Sequence, residues 1–555
     1  MVSRIWNALG GLVFGAMLLA LVYEEHFVST IKLGQHNDVS VAFNYANGVE
    51  TTVDNSLLNG VPLARIATNV TELFAAMQTP QYFPLHWNPH TGALHMRPQP
   101  LPGKRMPWVH DVVLTEDLTT VLIGTESRKR CDCRHLYKQF EWMKAIDPRI
   151  TGSRNCSEYV YVDDKIVSDD GSLFKAHYKC TFAYPSGRKP VTVPGFRRGD
   201  SETQRLRIEC TVPDSVRREL SRQAIPAAVF DLTTSAKPGS FNETERFLVA
   251  QRAFDSKSVV SKFPQRKYNI ALCTTVTRFE LMVMAEWLVF HIQRGIEHIF
   301  LYDETKDGSI CRQVKRFIDA GYITCVYYPY DSCGAQRRTR QFLIDDVAYR
   351  FPSRINQYSA LDSCYNRFSQ FTTWMGIWDV DEFAVPVGGH RSYADVLAKY
   401  NSDNRVAGVG LVMDWVRPPS ACNDPWKGKK SSGVNQPCNE TELPHMGSWC
   451  LRMYGAKAGT DGKCFFKTSL ALMTWVHYLV AAESGTRLEM FDRKGEIYLQ
   501  HVRLWDPSHE KIRYMMPSPF CRSFWVDTST APYLEDLRRG IKEWYPDINM
   551  EPQKE

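Results

Sequence analysis

The 555-residue sequence lacks a strong excess of charge of either sign: 67 basic and 61 acidic residues leave a formal charge of +6. Nucleic-acid binders concentrate positive charge on one stripe or face, so this balance excludes nucleic acid as a partner. No internal repeat or low-complexity tract is present, which excludes a solenoid of stacked copies. Apolar residues are not scarce. Hydrophobic residues make up 44% and charged residues 23%, the balance of chains that fold rather than of disordered ones. Cys131-Asp132-Cys133 lacks a second close pair at zinc-finger spacing, so the fifteen cysteines argue for disulfides over a structural zinc site.

What is present begins at the N-terminus. Residues 5–23 form an apolar run in which Asn7 is the only strongly polar side chain, close to the roughly 20 residues that span a bilayer. Arg4 precedes the run and Glu24 and Glu25 follow it, so residues 1–4 are expected to be a cytoplasmic tail and the rest to cross the membrane, as a single-pass type II anchor. A cleaved signal peptide is the rival, but Leu21-Val22-Tyr23-Glu24 offers no small-residue cleavage site. Glycosylation sequons at Asn69, Asn155, Asn242 and Asn439 agree with a secretory compartment. There the odd cysteine count leaves at least one thiol over.

Beyond the anchor, residues 24–104 carry weak periodicity and clustered prolines, as in a stalk. Residues 105–213 alternate short apolar runs, such as Val112 to Leu114, Thr120 to Ile123 and Tyr159 to Val162, with turn residues, predicting a small β-rich module. Its Phe182, Tyr184 and Phe196 fit either a core or a glycan-binding surface. Residues 214–266 are expected to be a helical or irregular connector. From 267 to 535 strands and helices alternate: strands at 269–276, 299–302, 323–328 and 375–378, helices at 280–294, 309–320 and 357–368, with Gly295 and Gly321 as helix stops. Residues 536–555 read as a tail. This order implies a mostly parallel, Rossmann-like α/β sheet whose ligands bind beyond the strand carboxyl ends, placing Thr275, Asp303 and Asp379 along one rim.

The chemistry-bearing motif is Asp379-Val380-Asp381-Glu382. If the strand persists, Asp379 and Asp381 share one face roughly 7 Å apart. Clustered carboxylates with oxygen ligands suit a hard cation, Mg²⁺ or Mn²⁺, and through it a nucleotide diphosphate. Asp-x-Asp alone is a weak signal. Basic residues that fit diphosphate contacts are Lys467, Arg337 and Arg338, and carboxylates that fit an acceptor-activating base are Asp414 and Glu483.

The ordered set Glu286-Trp287, Gly295 to Asp303, Gln357 before Cys364, and Trp378-Asp379-Val380-Asp381-Glu382-Phe383 resembles glycosyltransferase family 92, which includes β-1,4-galactosyltransferases, over about residues 268–505. The resemblance implies a GT-A fold in a Golgi-membrane enzyme. It also implies an inverting mechanism with a UDP-sugar donor, UDP-galactose, Mn²⁺ as the metal and a glycan acceptor. By that resemblance Asp381 is the principal metal ligand, Asp379 lies near metal and ribose, Asp303 lies near the uracil, and Glu382 orients the pair. A later histidine completes the metal site, either His501 or His477. Two other classes stay in view. Glycoside hydrolysis needs carboxylates on separate elements; a tethered glycan-binding protein with a degenerate catalytic domain is suggested by Phe279-Glu280, where the family more often has Asn-Glu.

Overall fold

A computed structural model describes residues 28–33, 39–44, 50–53, 86–88, 93–95, 108–126, 150–151, 176–184, 186–200, 205–223, 227–235, 242–250, 268–276, 281–305, 307–328, 339–344, 347–352, 355–417, 446, 451–454, 462–491, 496–502, 525–526 and 529–547. The apolar run 5–23, the strand expected at 159–162, Arg337, Arg338 and the sequons at Asn69, Asn155 and Asn439 lie outside them. Among the described residues no helix is long and apolar enough to cross a membrane.

A seven-stranded antiparallel sheet comes first. It comprises β1 (Trp108–Leu114), β2 (Thr120–Glu126), β3 (His177–Phe182), β4 (Val191–Asp200), β5 (Arg205–Thr211), β6 (Ala227–Ser235) and β7 (Asn242–Ala250), with helix α1 (Asp214–Leu220) between β5 and β6. The spatial order is β7-β6-β3-β4-β5-β2-β1. Alternation drives it: Tyr178, Cys180 and Phe182 on β3 point inward and join Ile123, Ile208 and Phe230 in one core. Segment 214–266, expected as a connector, instead supplies α1 and the two strands β6 and β7. The hydrophobic β-branched content of Val229-Phe230-Asp231-Leu232-Thr233 pairs in register with β7. A disulfide joins Cys180 and Cys210.

The second unit is built on a nine-stranded sheet. Its elements run β8 (Tyr268–Val276), α2 (Leu281–Gln293), β9 (His298–Asp303), α3 (Ser309–Gln313), α4 (Lys315–Asp319), β10 (Ile323–Tyr327), α5 (Ile355–Phe368), β11 (Thr372–Ile377), β12 (Glu382–Pro386), α6 (Tyr393–Leu397), β13 (Val406–Leu411) and β14 (Met413–Arg417). They continue with β15 (Leu451–Tyr454), β16 (Lys463–Lys467), β17 (Ala471–Thr474), β18 (Leu479–Ala482), β19 (Arg487–Met490), β20 (Ile497–Val502), β21 (Trp525–Val526) and α7 (Ala531–Trp544). Four strands in the order β10-β9-β8-β11 are parallel. Counted along the chain this is 3-2-1-4, so the order reverses between β8 and β11, the crevice where open α/β sheets bind ligands. β8 and β9 are buried along nearly their whole length, as strands covered on both faces must be.

The helix stops behave as expected: Gly295 and Gly321 take φ of 97° and 83°, the left-handed geometry that glycine tolerates. The helix expected at 309–320 is broken at Val314, whose ψ of 12° departs from the helical range. A disulfide, Cys311–Cys325, ties α3 to β10, and Cys273–Cys364 ties β8 to α5. β11 continues antiparallel into β16 and then β13. A second sheet of five strands, β12-β20-β14-β15-β21, flanks it.

Two outlying segments are more structured than expected. In the expected stalk, residues 28–33, 39–44 and 50–53 pair as a small antiparallel sheet, and Ala93–His95 adds to the edge of β10. At the other end α7 is no tail. Its Tyr533, Leu537 and Ile541 enter the main core against α2, so the unit extends to about Tyr545.

Candidate functional site

β11 ends at Ile377, and the chain turns through Trp378 to Asp381 before β12 begins at Glu382. The expected shared strand face is therefore replaced by a tight turn. Its cause is Glu382: the Glu382 N–H donates to the Asp379 carbonyl at 3.1 Å, and the Glu382 carboxylate accepts the Asp379 N–H at 2.9 Å. The two residues cap each other. The buried Val380 anchors the turn in the core, and the two aspartates are sent to different partners.

Asp379 accepts from Gln357 Nε2 at 2.6 Å and from Lys463 Nζ at 3.1 Å. Lys463 is fully buried and also lies 3.1 Å from the Glu382 carboxylate. Burial pushes the Glu382 carboxyl well above the usual carboxylate range; Lys463 opposes that shift, and Asp379 and Asp381 add to it. The lysine ammonium is held above its ordinary pKa by the two carboxylates, although its burial acts the other way.

Asp381 turns to His501 instead, with His501 Nε2 at 3.1 Å from Oδ2. Register explains the meeting: β12 and β20 run antiparallel with Glu382 opposite His501, one residue beyond Asp381. His501 Nδ1 faces the Met413 sulfur at 3.2 Å. A carboxylate can only accept, so His501 Nε2–H donates to Asp381 and Nδ1 is left facing the Met413 sulfur; a cation bound between the two would take the place of the Nε2 proton.

Beneath the turn, Trp287 Nε1 donates to the Glu382 carbonyl at 2.9 Å, and His291 Nε2 stands 3.1 Å from the same oxygen. Full burial depresses the His291 pKa to about 3, so the ring is neutral. A carbonyl cannot donate, so the single proton sits on Nε2, and the Tyr393 hydroxyl at 2.7 Å serves Nδ1. Trp287 and His291 thus support the turn from below.

The other expected site residues divide. Thr275 lies at the β8 end of the rim, its hydroxyl on the Glu304 carboxylate. Asp303 is on the rim but turned inward: it accepts from the Thr305 N–H and the Cys311 N–H, each at 2.9 Å, and burial raises its pKa despite those bonds. Lys467 is not at the site. It donates to the carbonyls of Tyr400, at 2.7 Å, and Asp403, at 3.0 Å, and stacks over Trp374 near the start of β11. Because β16 runs antiparallel to β11, its first residue, Lys463, reaches the rim and its last does not.

His477 bonds the Gly462 carbonyl at 3.3 Å, leaving His501 as the histidine on Asp381. Asp414 is fully buried; it pairs with Gln500 and its neighbour Trp415 pairs with His501, so alternation places Asp414 on the opposite face of that sheet. Glu483 is exposed just past β18. Of the module aromatics, Phe182 is fully buried and Phe196 is 58% exposed, while Tyr184 packs partly buried on the core.

Among the described residues no group of three or more His, Cys, Asp and Glu side chains is arranged around a metal position. The pair Asp381 and His501, with side chains 18% and 13% exposed, is of the residue types that would hold a hard divalent cation, whose remaining ligands would have to come from outside the described side chains. Asp379, engaged by Lys463 and Gln357, is the less available carboxylate.

Comparison with known proteins finds matches over the unit that carries this turn. The sequence model of glycosyltransferase family 92 matches residues 268–525, a span holding the whole rim, Lys463 and His501. A glycosyltransferase family 92 protein of Oryza sativa subsp. japonica is 21% identical over 52% of this chain and 45% of its own. One of Ricinus communis is 20% identical over 61% of this chain and 51% of its own. One of Arabidopsis thaliana is 21% identical over 38% and 31%. The chain thus spans about half the length, or less, of the curated relatives it matches.

Proposed function

We propose that this chain, whose residues 268–525 match family 92, is a glycosyltransferase that moves galactose from UDP-galactose to a glycan acceptor, forming a β-1,4 linkage with inversion. The observation that carries the proposal is the pairing of Asp381 with His501 at 3.1 Å, beside the point where the parallel strand order reverses. In this account the α/β unit is a GT-A domain, and residues 5–23 hold it in the Golgi membrane as a type II protein.

Asp381 and His501 would hold Mn²⁺, which supplies Lewis-acid stabilisation of the departing diphosphate. Asp379 binds the donor's ribose side and is kept in place by Gln357 and Lys463. Lys463 keeps the site's acidic charge from expelling an anionic donor, and Glu382 fixes the turn. Inversion needs a carboxylate that accepts the acceptor hydroxyl's proton as the sugar carbon is attacked. Asp414 and Glu483 are the sequence's candidates, but Asp414 is buried on the sheet face opposite His501; a Glu483→Gln variant that abolishes transfer while retaining UDP binding identifies the base.

The test is turnover of a UDP-sugar panel by the purified chain, with and without Mn²⁺, beside Asp381→Ala. Metal-dependent turnover of UDP-galactose, lost in the variant, supports the proposal. Turnover of another donor corrects the sugar, and turnover unaffected by Asp381→Ala overturns the site.

A further inference from the structure

The polar half of α5 is buried as deeply as its apolar half. Ala360, Leu361, Cys364 and Phe368 pack on the parallel sheet, while Asp362, Ser363 and Asn366 are also at most 3% exposed. Polar groups at that depth need partners, and the seven-stranded module provides them.

The partners come chiefly from a bulge. The register of β1 on β2 slips between Val109 and Asp111, and such an extra residue re-aims side chains. Here two consecutive residues, His110 and Asp111, both reach α5. Asp111, fully buried, accepts from Ser363 Oγ at 2.7 Å and from Arg367 Nε at 2.9 Å. His110 Nε2 lies 3.5 Å from Asp362. Gly124, opposite Asp111, leaves the room: a Cβ there would come within 2.5 Å of the His110 ring and 3.0 Å of the Asp362 carboxylate. Arg207 of β5 adds a bond to Asn366 at 3.0 Å.

The opposite side of α5 is pinned to β8 at one point by the Cys273–Cys364 disulfide. The contacts at 362, 363, 366 and 367 fix the helix's rotation about that point. Its first turn carries Gln357, whose amide sits 2.6 Å from Asp379.

We infer that the module is a positioning element for the donor site: the bulged pair His110-Asp111 fixes α5 and thereby the placement of Gln357 on Asp379. The inference rests on the donor-site assignment made above. Asp111 and His110 touch no substrate; they act through the helix.

The test uses the full chain with Asp111→Asn, Gly124→Ala, Gln357→Ala and the double variant Asp111→Asn/Gln357→Ala. Amide hydrogen exchange across residues 355–362 is measured together with KM for UDP-galactose and kcat. Asp111→Asn and Gly124→Ala are expected to speed exchange there and to raise KM about tenfold, the scale of one lost hydrogen bond to a charged group, with kcat nearly unchanged. The double variant is expected to be no worse than Gln357→Ala. Unchanged exchange, or KM effects that multiply in the double variant, would overturn the inference. Gly124→Ala, which keeps every charge, decides the case if Asp111→Asn does not fold. If the wild type turns over no donor, the donor-site assignment fails and the exchange measurement alone decides the coupling.

Discussion

Replacing Lys463 by methionine isolates the largest electrostatic commitment at the site. The ammonium is fully buried and lies 3.1 Å from both the Asp379 and the Glu382 carboxylates. Methionine retains most of the side-chain volume, so packing changes little and the loss is one of charge. Removing one partner from a buried ion pair costs about 3–5 kcal/mol, because the charge left behind has neither water nor a counter-ion. For a unit of this size each kcal/mol lowers Tm by about 2–4 °C, so Lys463→Met should melt roughly 6–20 °C below the wild type. Glu382 is the carboxylate left most deprived, being 1% exposed; its pKa, already raised by burial, rises further without Lys463, so it takes up a proton as pH falls and the full loss is expected in alkaline melts. Adding Glu382→Gln removes that stranded charge while keeping an acceptor for the Asp379 N–H, and most of the lost stability should return. Calorimetric or circular-dichroism melts of the wild type, both single variants and the double variant measure the coupling directly. A loss under about 1 kcal/mol in Lys463→Met, or no recovery in the double variant, would refute the account of Lys463 as the turn's counter-charge.

His291 makes the fold acid-labile. Its folded pKa of about 3 lies below the ordinary value of 6.5, so the unfolded chain binds the proton more readily and stability is lost as pH falls below that ordinary value. At pH 5.5 the loss is about 1.4 kcal/mol from this residue; denaturant titrations at two pH values should show it, and His291→Asn should lose that component. Gly376→Ala places a Cβ 2.7 Å from Leu272 and 3.0 Å from Trp378. Overpacking there should cost about 1–3 kcal/mol and weaken UDP binding by shifting Trp378, the residue before Asp379; an unchanged melt would contradict this.

The parallel core was legible because its signals are local. Ile270 to Cys273 and Ile299 to Tyr302 are continuous apolar runs, and Gly295 and Gly321 mark helix ends by their conformation. The geometry of Asp379-Val380-Asp381-Glu382 was not, since whether the strand continues depends on Glu382 reaching back to the Asp379 N–H. Lys463 and Lys467 bracket the same strand, Lys463–Lys467, and only its direction against β11 decides which end meets the rim. His501 was visible as a candidate, but its preference over His477 follows from the β12–β20 register, a contact between residues far apart in sequence. His110-Asp111 carried no local signal at all, because a bulge is defined by the partner strand.

The most direct test of the central claim is calorimetric titration of UDP into the purified chain with and without Mn²⁺, repeated on Asp381→Ala and His501→Ala. The account predicts Mn²⁺-dependent UDP binding in the wild type and its loss in both variants. Equal binding without metal, or binding that survives both substitutions, would contradict it.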